Sequence, residues 1–380
     1  MLLANCIRCG LRLAASPVTH PFLRLLVAKV WSSPKTDWKK AVSEAEKVVG
    51  YPTSFMSLRC LLSDEISNVA LHMRKLVGTK HPLLKTARGF IYDGKHSLQA
   101  RGLIVLLLSK AAGPGRESEH LDPQAMISGV YPSQRSLAEI TEIIYTASLI
   151  HKGVVDLKNL QPGDGSPADM EFGNKMAILS GDFLLANAAT SLGSLRNTYV
   201  VETISKAIGE LMKAEFTKLR NKDGFPALPA EGVTWEDWKE QTYLSSASLL
   251  ARSCEASMML ANHDEVTQQK AFTFGEHVAY AYQLHDELRP FLQLEENSDR
   301  FCVTSAPVIM YYQQHCHPVL PVDNRDRQEL YQRVMKSSAI TRTKQLCIDH
   351  RNQAKEALTH FDQSEARTAL ENIVDAVLKL

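Results

Sequence analysis

Apolar residues recur at steps of three and four along most of the chain beyond residue 37. This spacing brings side chains to one face of an α-helix, so it indicates amphipathic helices. The clearest stripes are Ile66, Val69, Ala70, Met73 and Val77; Leu137, Ile140, Ile144, Ala147 and His151; and Val201, Ile204, Ile208 and Leu211. No stretch alternates apolar and polar residues over the length of a strand, so the pattern predicts an all-α protein.

Other segments complete this helical pattern. Residues 103–112 and 176–189 are apolar on nearly all sides, which is typical of helices enclosed in a core. Thr234 and Asp237 have the spacing of a capping box, which predicts the start of a helix that runs through Leu250. Helices are also predicted over 271–288 and 363–380, and loops over 158–170, 219–233 and 293–303. None of these loops has the composition of a domain linker, so residues 37–380 are predicted to form a single large helical bundle.

The first 36 residues differ in composition from the rest of the chain. Their basic residues are Arg8, Arg12, Arg24, Lys29 and Lys35, and no acidic residue occurs before Asp37. A basic, acid-free segment that contains Leu, Ala and Ser is typical of a mitochondrial transit peptide, so we expect import into the mitochondrial matrix. A plain basic tail and a weak secretory signal are the alternatives.

The charge balance and the apolar runs exclude two function classes. The chain has 43 Lys and Arg residues against 42 Asp and Glu residues, which leaves no electrostatic footprint for nucleic acid. The longest apolar run near the middle of the chain is LIVLLL at 103–108, far short of the ~20 residues that span a bilayer. We therefore predict no transmembrane helix.

Several motifs resemble those of the all-trans polyprenyl diphosphate synthases. They are QRSLAEI (134–140), TASLIH (146–151), FGNKMAILSGDFLLANA (172–188) and TSAPV (304–308). The resemblance covers residues 40–380. Two further runs, 51–65 and 364–374, resemble the second subunits of heteromeric decaprenyl or solanesyl diphosphate synthases within that family.

The resemblance implies a specific chemistry. An allylic diphosphate ionises to a carbocation, which the double bond of isopentenyl diphosphate attacks. Loss of diphosphate needs positive charge on its oxygens, which Mg²⁺ ions supply. In the family, two Asp-Asp-x-x-Asp motifs on facing helices hold these ions, because carboxylate oxygens suit Mg²⁺ and positions i and i+4 share a helical face.

The first motif is degenerate in this sequence, where its positions hold Lys152, Gly153 and Asp156. A Lys ammonium ~4 Å from a metal ion would repel it by about 4 kcal/mol per unit-charge pair at an effective dielectric near 20. Lys152 therefore opposes metal binding. We expect it to pair with Asp156 four residues later; a role for Lys152 as a diphosphate clamp in place of one Mg²⁺ is the alternative.

The second motif is also incomplete, with Asp286, Glu287 and Pro290 at its positions. The proline is predicted to break the helix there. Asp286 and Glu287 could hold one ion weakly, but a solvated or salt-bridged acidic pair is the favoured interpretation.

The phosphate-binding cations of the family are missing or displaced as well. The arginine pair that follows the first motif has no counterpart in 159–170, and Ser245-Ser246 replaces a Lys-Thr pair. The Gly-Lys-x-x-Arg-Pro motif is matched at best by Gly94-Lys95 with Arg101-Gly102, which are three residues too far apart. Metal ligands and phosphate cations are thus lost together.

Other family features persist. Ala147 and Ser148 are small residues before the first motif, where long-chain members let the growing polyprenyl tail pass; close helix packing explains them equally well. The 172–188 segment contributes to the subunit interface in the family, which makes Met176, Leu179, Phe183 and Leu184 interface candidates.

Together these features predict a non-catalytic or regulatory subunit of a heteromeric synthase that makes the ubiquinone side chain. We expect no cofactor on this chain, an Asp-rich subunit 1 that binds Mg²⁺ as its partner, a heterotetramer, and peripheral contact with the inner mitochondrial membrane. A homomeric prenyltransferase with a degenerate metal site and a non-enzymatic carrier of prenyl lipids are the alternatives.

Overall fold

The structure is a computed structural model. It describes residues 37–50, 79–84, 100–115, 126–160, 163–217, 219, 232–292, 301–314 and 324–377. The predicted transit peptide, the stripe at 66–77, the run at 51–65 and the Gly94-Lys95 pair lie outside these residues. Their predictions are therefore untested.

Helices account for nearly all of the regular structure in this part of the chain. The α-helices are α1 (Asp37–Val49), α2 (Arg101–Ala112), α3 (Pro132–His151), α4 (Pro167–Ser194), α5 (Thr198–Lys213), α6 (Trp235–Thr242), α7 (Ser248–Leu260), α8 (Glu265–Leu292), α9 (Ala306–Gln314), α10 (Asn324–Lys336), α11 (Ala339–Leu358) and α12 (Glu365–Val377). Short 3₁₀ turns cover Leu157–Asn159 and Ala214–Phe216, and a π-helical turn covers Tyr243–Ala247. Within the residues described, extended pairing is confined to an isolated bridge between Ile127 and Val130. The all-α prediction is confirmed.

Helix α2 lies at the centre of the bundle. Its run from Leu103 to Leu108 is fully buried, and α1, α3, α7 and α12 pack around it. A helix that is apolar on all sides has to be enclosed in this way, because no face of it suits water. The helix ends before Gly113, which adopts the left-handed φ of 65° that favours glycine.

The motif segments lie on long helices of the bundle, of which α3 packs against α2. Helix α3 packs along α4, and α8 packs between α7 and α11. Helix α4 begins at Pro167, where the hydroxyl of Ser166 accepts a hydrogen bond from the Asp169 N–H. The loop predicted over 158–170 is therefore wrong in its last residues, since a capping serine followed by proline already starts a helix.

The helix predicted from Thr234 onward is present but interrupted. The capping box is confirmed: the Asp237 N–H donates to the Thr234 hydroxyl, and the Asp237 carboxylate accepts from the Thr234 N–H at 2.9 Å. The π turn at Tyr243–Ala247 then separates α6 from α7. Apolar periodicity does not reveal such a turn, which inserts one residue into an otherwise helical pattern.

The prediction that Pro290 breaks its helix is wrong, because α8 continues through this residue to Leu292. Pro290 removes only one backbone hydrogen bond, and it lies in the last turn. Packing offsets that loss: the Tyr331 hydroxyl donates to the Pro290 carbonyl at 3.0 Å, and the Phe291 ring stacks on Tyr331.

Helices α1, α9, α10 and α11 were not predicted from the pattern. No helix in the described ranges is both long and apolar enough to cross a membrane.

Candidate functional site

The first motif lies beyond the end of its helix. Helix α3 stops at His151, and the Lys152 N–H donates to the Ser148 carbonyl at 3.0 Å as the helix closes. The Gly153 N–H donates to the Ile150 carbonyl at 3.0 Å. Because residues 152–156 are not helical, Lys152 and Asp156 do not share the helical face on which the predicted pairing depends. The motif positions also cannot present ligands in the i, i+4 arrangement.

The loop that follows is fixed to α4 through Asn174. The Asn174 side chain accepts from the Val155 N–H at 2.8 Å and donates to the Val155 carbonyl at 2.7 Å. The Asp156 carboxylate accepts from the Lys158 N–H at 2.9 Å and so caps the 3₁₀ turn. The last acid of the first motif therefore has a structural role in this loop.

Two glycines of α4 let histidines approach the helix closely. A Cβ atom on Gly181 would overlap the His151 ring, and one on Gly173 would overlap the His81 ring. The His151 Nε2 lies 3.3 Å from the Asp182 carboxylate, and the His81 Nε2 lies 3.2 Å from the Asn174 Oδ1. The end of α3 and the segment 79–84 are thus both packed against α4.

The two acids of the second motif point to different surroundings. Asp286 is exposed and forms an ion pair with Arg289 at 3.2 Å. Neighbouring residues of a helix are separated by about 100°, so Glu287 faces elsewhere. The pair does not form a joint carboxylate site.

Glu287 is bound by three donors inside the molecule. Its Oε2 accepts from the Trp238 Nε1–H at 3.0 Å and from the Ala306 N–H at 2.6 Å. Its Oε1 accepts from the Gln283 amide at 2.7 Å. Burial raises the pKa of Glu287 to about 7, while these donors oppose the shift. Since Ala306 is the first residue of α9, Glu287 caps that helix and ties α6, α8 and α9 together.

The residues at the motif positions do not fit a Mg²⁺ site. The first motif offers an ammonium, a glycine and a carboxylate that caps a 3₁₀ turn. In the second motif Asp286 is paired with a cation, and Glu287 is engaged by three N–H groups. Among the described residues, no group of three or more His, Cys, Asp or Glu side chains could hold a metal ion.

Arg101, the candidate phosphate cation, is enclosed in the core. Its guanidinium lies 3.5 Å from the centre of the Tyr145 ring, and Nη2 approaches the Ser246 hydroxyl at 3.5 Å. Buried Glu142 lies nearby, and its Oε1 accepts from the Gly102 N–H at 2.7 Å. Burial raises the pKa of Glu142, and the Gly102 N–H and Arg101 oppose that shift.

This cluster was missed from sequence because Glu142 and Tyr145 lie off the apolar stripe of Leu137, Ile140, Ile144 and Ala147, on the side of the helix that the pattern leaves to solvent. The only available signal was a carboxylate on a helix that is otherwise largely apolar. The cluster holds Arg101 inside the protein, where Tyr145 covers the face of its guanidinium. Ser246 belongs to the π turn that replaces the Lys-Thr pair of the family.

The sequence model of the polyprenyl synthetase family matches residues 85–302, which is more than half of the chain. The chain belongs to the polyprenyl synthetase family. A rat relative, all trans-polyprenyl-diphosphate synthase PDSS2, is 48% identical over 351 residues, with 90% of this chain and 87% of the relative covered.

Two more distant relatives belong to the same family. The probable mitochondrial hexaprenyl pyrophosphate synthase of Neurospora crassa is 32% identical, with 90% of this chain and 88% of the relative covered. The decaprenyl-diphosphate synthase subunit 1 of Schizosaccharomyces pombe is 27% identical, with 87% of this chain and 93% of the relative covered.

A solved structure supports the family fold. The polyprenyl synthase of Caulobacter crescentus, crystallised with calcium and isoprenyl diphosphate, matches with a TM-score of 0.63 at 17% identity, over 90% of this chain and 97% of that one. At this identity the likeness concerns the fold alone, and it agrees with the all-α bundle.

The two tunnel candidates lie at the contact between α3 and α4. Ala147 is fully buried in a small apolar cluster with Leu83, Ile150, Ala177 and Leu184. Ser148 is buried one residue later. Close helix packing, the alternative explanation from sequence, accounts for the position of Ala147, because a larger side chain would separate the two helices.

The four interface candidates of α4 divide between two faces. Leu179 is 52% exposed, and Met176 and Phe183 are partly buried at the edges of the α3–α4 contact. Leu184 is only 1% exposed and packs inside this chain. Its assignment to the interface is therefore wrong. A helix apolar on nearly all sides has no polar face, so its sequence does not reveal which residues point outward.

Exposed apolar side chains occur on both α4 and α5. Ile178 and Leu179 are exposed on α4, Tyr199 and Met212 on α5, and Phe216 in the 3₁₀ turn that follows.

Proposed function

We propose that this chain is a non-catalytic or regulatory subunit of a heteromeric all-trans polyprenyl diphosphate synthase. The complex would extend farnesyl or geranylgeranyl diphosphate with isopentenyl diphosphate and make the decaprenyl or solanesyl side chain of ubiquinone. The observation that carries the proposal is the engagement of the second-motif carboxylates: Asp286 pairs with Arg289, and Glu287 accepts from three donors.

The chemistry of the reaction explains how this observation supports a non-catalytic role for the chain. Ionisation of an allylic diphosphate needs several positive charges on the leaving oxygens. Lys152 opposes a metal ion, and Arg101 is buried in the core against the Tyr145 ring. The charges must then come from an Asp-rich catalytic subunit with its own Mg²⁺. The name of the Schizosaccharomyces pombe relative, a subunit 1, supports an enzyme of more than one subunit.

The exposed face of α4 and α5 supports association through these helices. Related chains that diverge from a symmetric dimer can keep the same surface for a heteromeric contact. Aromatic residues and methionine are enriched at interfaces, and the face contains Tyr199, Met212 and Phe216. We expect the Asp-rich subunit to bind here, and a heterotetramer to form from two such pairs.

The location that fits this role is the mitochondrial matrix. The Neurospora crassa relative is described as mitochondrial, which supports the organelle. The basic, acid-free composition of the first 36 residues supports import.

The proposal is tested by co-expression of this chain with an Asp-rich subunit in cells, with polyprenyl chain length as the readout. We expect the Asp-rich subunit alone to make little product or shorter product, and the pair to make the full-length chain. This chain alone, assayed with farnesyl diphosphate, isopentenyl diphosphate and Mg²⁺, should be inactive.

Leu179→Arg places a charge on the exposed face without disturbing the core, and it should abolish association and rescue, because burying an unpaired charge costs several kcal/mol. Val266→Arg is the matched control, since Val266 is an exposed aliphatic residue at the start of α8. Full-length product from the Asp-rich subunit without this chain, or normal rescue by Leu179→Arg, would contradict the proposal.

A further inference from the structure

A short segment, residues 79–84, lies against the end of α3 and the beginning of α4, and we call it the strap. The Lys80 N–H donates to the Asp164 carbonyl at 2.7 Å, and the Lys80 ammonium lies 3.6 Å from the Asp164 carboxylate. Further along the strap, Leu83 is only 3% exposed. Its side chain completes an apolar cluster whose other buried members, called the seat here, are Ala147, Ile150, Ala177 and Leu184.

Two glycines leave the space that the strap occupies. A Cβ atom on Gly173 of α4 would overlap the His81 ring. A Cβ atom on Gly153 would lie 3.5 Å from the backbone nitrogen of Leu83, so a longer side chain there would press against the strap. Gly153 is a first-motif position, and its loss of a side chain therefore gives the strap room.

The strap and the first-motif loop are held by the same amide. The Asn174 Oδ1 accepts from the Val155 N–H at 2.8 Å and lies 3.2 Å from the His81 Nε2. The Leu83 N–H donates to the His81 Nδ1 at 3.1 Å, so His81 carries its proton on Nε2 and donates it to Asn174. Specific polar contacts thus fix the strap in the position that inserts Leu83.

The attachment of the strap is local, which makes it separable from the rest of the bundle. His81 and Leu83 are its buried side chains, whereas Lys80 is exposed and Thr79, Pro82 and Leu84 are partly exposed. Displacement of the strap uncovers little apolar surface compared with displacement of a core helix. Segments with few buried apolar contacts open at low free-energy cost.

We propose that the strap is an intramolecular plug, in which Leu83 takes the place of an aliphatic hydrocarbon chain between α3 and α4 and keeps such chains out. The four residues of the seat are small or aliphatic, so the surface under Leu83 suits hydrocarbon and offers no charge to a polar ligand. Ala147, one of the tunnel candidates, belongs to the seat. The plug concerns this chain alone and goes beyond the heteromeric assignment.

Equilibrium dialysis of the full chain against farnesol tests the plug, because this isoprenoid alcohol needs neither a metal ion nor a phosphate site. We expect weak binding to the original chain. Leu83→Ala removes the plug, and Gly173→Ala displaces the His81 ring and with it the strap. Each variant should bind farnesol about tenfold or more tightly, since an apolar cavity that stays dry takes up apolar ligands.

Gly193→Ala is the matched control, because Gly193 also lies on α4 and a Cβ atom there meets nothing within 4 Å. This variant should bind farnesol as weakly as the original chain. Hydrogen exchange of the Lys80 amide, which donates to Asp164, reports on the strap itself. It should be faster in Gly173→Ala and unchanged in Gly193→Ala. If Gly173→Ala does not fold, Leu83→Ala decides the test, because it leaves the backbone of the strap in place.

The proposal is wrong if the original chain binds farnesol as tightly as the folded strap variants, since the seat is then open already. It is equally wrong if neither variant gains binding, or if the Lys80 amide exchanges faster without any gain. Both results would make the strap ordinary packing. The Asp-rich subunit is absent from this assay, so failure of the heteromeric assignment leaves the farnesol result unchanged.

Discussion

At the scale of single residues, the remains of the second motif have taken separate roles. Asp286 is an exposed member of a surface ion pair, and such pairs contribute about 0–1 kcal/mol. Glu287 caps α9 and binds the Trp238 indole, so its loss would leave buried donors without an acceptor. Asp286 and Glu287 are adjacent positions of one motif, yet they should differ sharply in how much each contributes to the stability of the fold.

Alanine substitution at each position measures this difference. We expect Asp286→Ala to change the free energy of unfolding by less than about 0.5 kcal/mol, as surface substitutions usually do. We expect Glu287→Ala to lower it by about 2–3 kcal/mol, because the Trp238 and Ala306 N–H groups lose their acceptor. Urea unfolding of both variants provides the values. Equal costs at the two positions would show that Glu287 does not anchor the three helices.

Restoring carboxylates to the first motif should not restore catalysis. Lys152→Asp with Gly153→Asp leaves Arg101 buried against Tyr145, and it leaves Ser245 in place of the family lysine. Groups that act together in catalysis do not recover when only some of them are restored. A Cβ atom on Gly153 would lie 3.0 Å from the Ile150 carbonyl oxygen, so the buried carboxylate would also be crowded.

The measurement is turnover of farnesyl and isopentenyl diphosphate with Mg²⁺, and the expected result is no product. Lys152→Asp alone is the control for folding, since this side chain is exposed. Product from the double variant would contradict this prediction, because it would show that catalysis does not require the missing phosphate-binding cations.

Residue identity predicted part of this site and missed the rest for a physical reason. Lys152, Gly153 and Pro290 reveal a damaged metal motif because a cation, a glycine and a proline cannot be carboxylate ligands. The anchoring role of Glu287 could not be predicted, since its donors come from α6 and α9, distant in sequence. Long-range partners of a buried carboxylate depend on the packed fold, which local spacing does not encode.

At the scale of helices, the pattern identifies elements better than it identifies their orientation. Helices α2, α3 and α4 were predicted from apolar spacing, and each is present with shifted ends. Leu184 and Leu179 are chemically identical and lie on the same helix, yet one faces the core and the other faces solvent. Only the position of α3 relative to α4 distinguishes them. That position depends on Gly173 and Gly181, which admit the histidine rings.

The contact between α8 and α11 contains a pair of histidines that share a proton. The Nδ1 atoms of His277 and His350 are 2.8 Å apart, and the His350 ring stacks on Tyr280. This hydrogen bond needs one protonated and one unprotonated nitrogen, so two imidazolium rings cannot form it. Burial lowers the pKa of both histidines. The pKa of His350 falls to about 4, since the charges of His277 and Lys239 lower it further, whereas Asp349 raises it.

The pair predicts a loss of stability in mild acid. Because the folded pKa values lie below the ordinary histidine pKa of about 6.5, the unfolded chain binds more protons between pH 6.5 and about 4. The free energy of unfolding therefore falls as the pH is lowered through this window, and above pH 6.5 the contribution is fully present. We expect the loss from this pair to be about 1–3 kcal/mol.

Urea unfolding at several pH values measures this effect. His350→Phe keeps a ring against Tyr280 and removes one titrating group, so its stability should depend less on pH between 6.5 and 4 than that of the original chain. An unchanged pH dependence in this variant would exclude the pair as the source.

At the scale of the whole molecule, the fold and the reaction have become separable. The core around α2 is complete, and both motif positions are engaged by internal contacts rather than left as open ligand sites. An enzyme that binds Mg²⁺ and a diphosphate gains stability from them by mass action, since the ligands bind only the folded state. We expect a chain whose motif positions are satisfied internally to gain no comparable stability from these ligands.

Thermal unfolding with a bisphosphonate analogue and Mg²⁺ distinguishes these cases. When the ligand is present at a hundred times its dissociation constant, its binding stabilises an Asp-rich relative by about 2.7 kcal/mol. For a chain of this size, that stabilisation raises the melting temperature by about 4 °C. We expect a shift of less than about 1 °C for this chain under the same conditions, with and without Mg²⁺. The Asp-rich relative run in parallel is the control for ligand quality. A Mg²⁺-dependent rise of several degrees in this chain alone would mean that the degenerate motifs still assemble a metal–diphosphate site, and the non-catalytic assignment would then fail at its chemical basis.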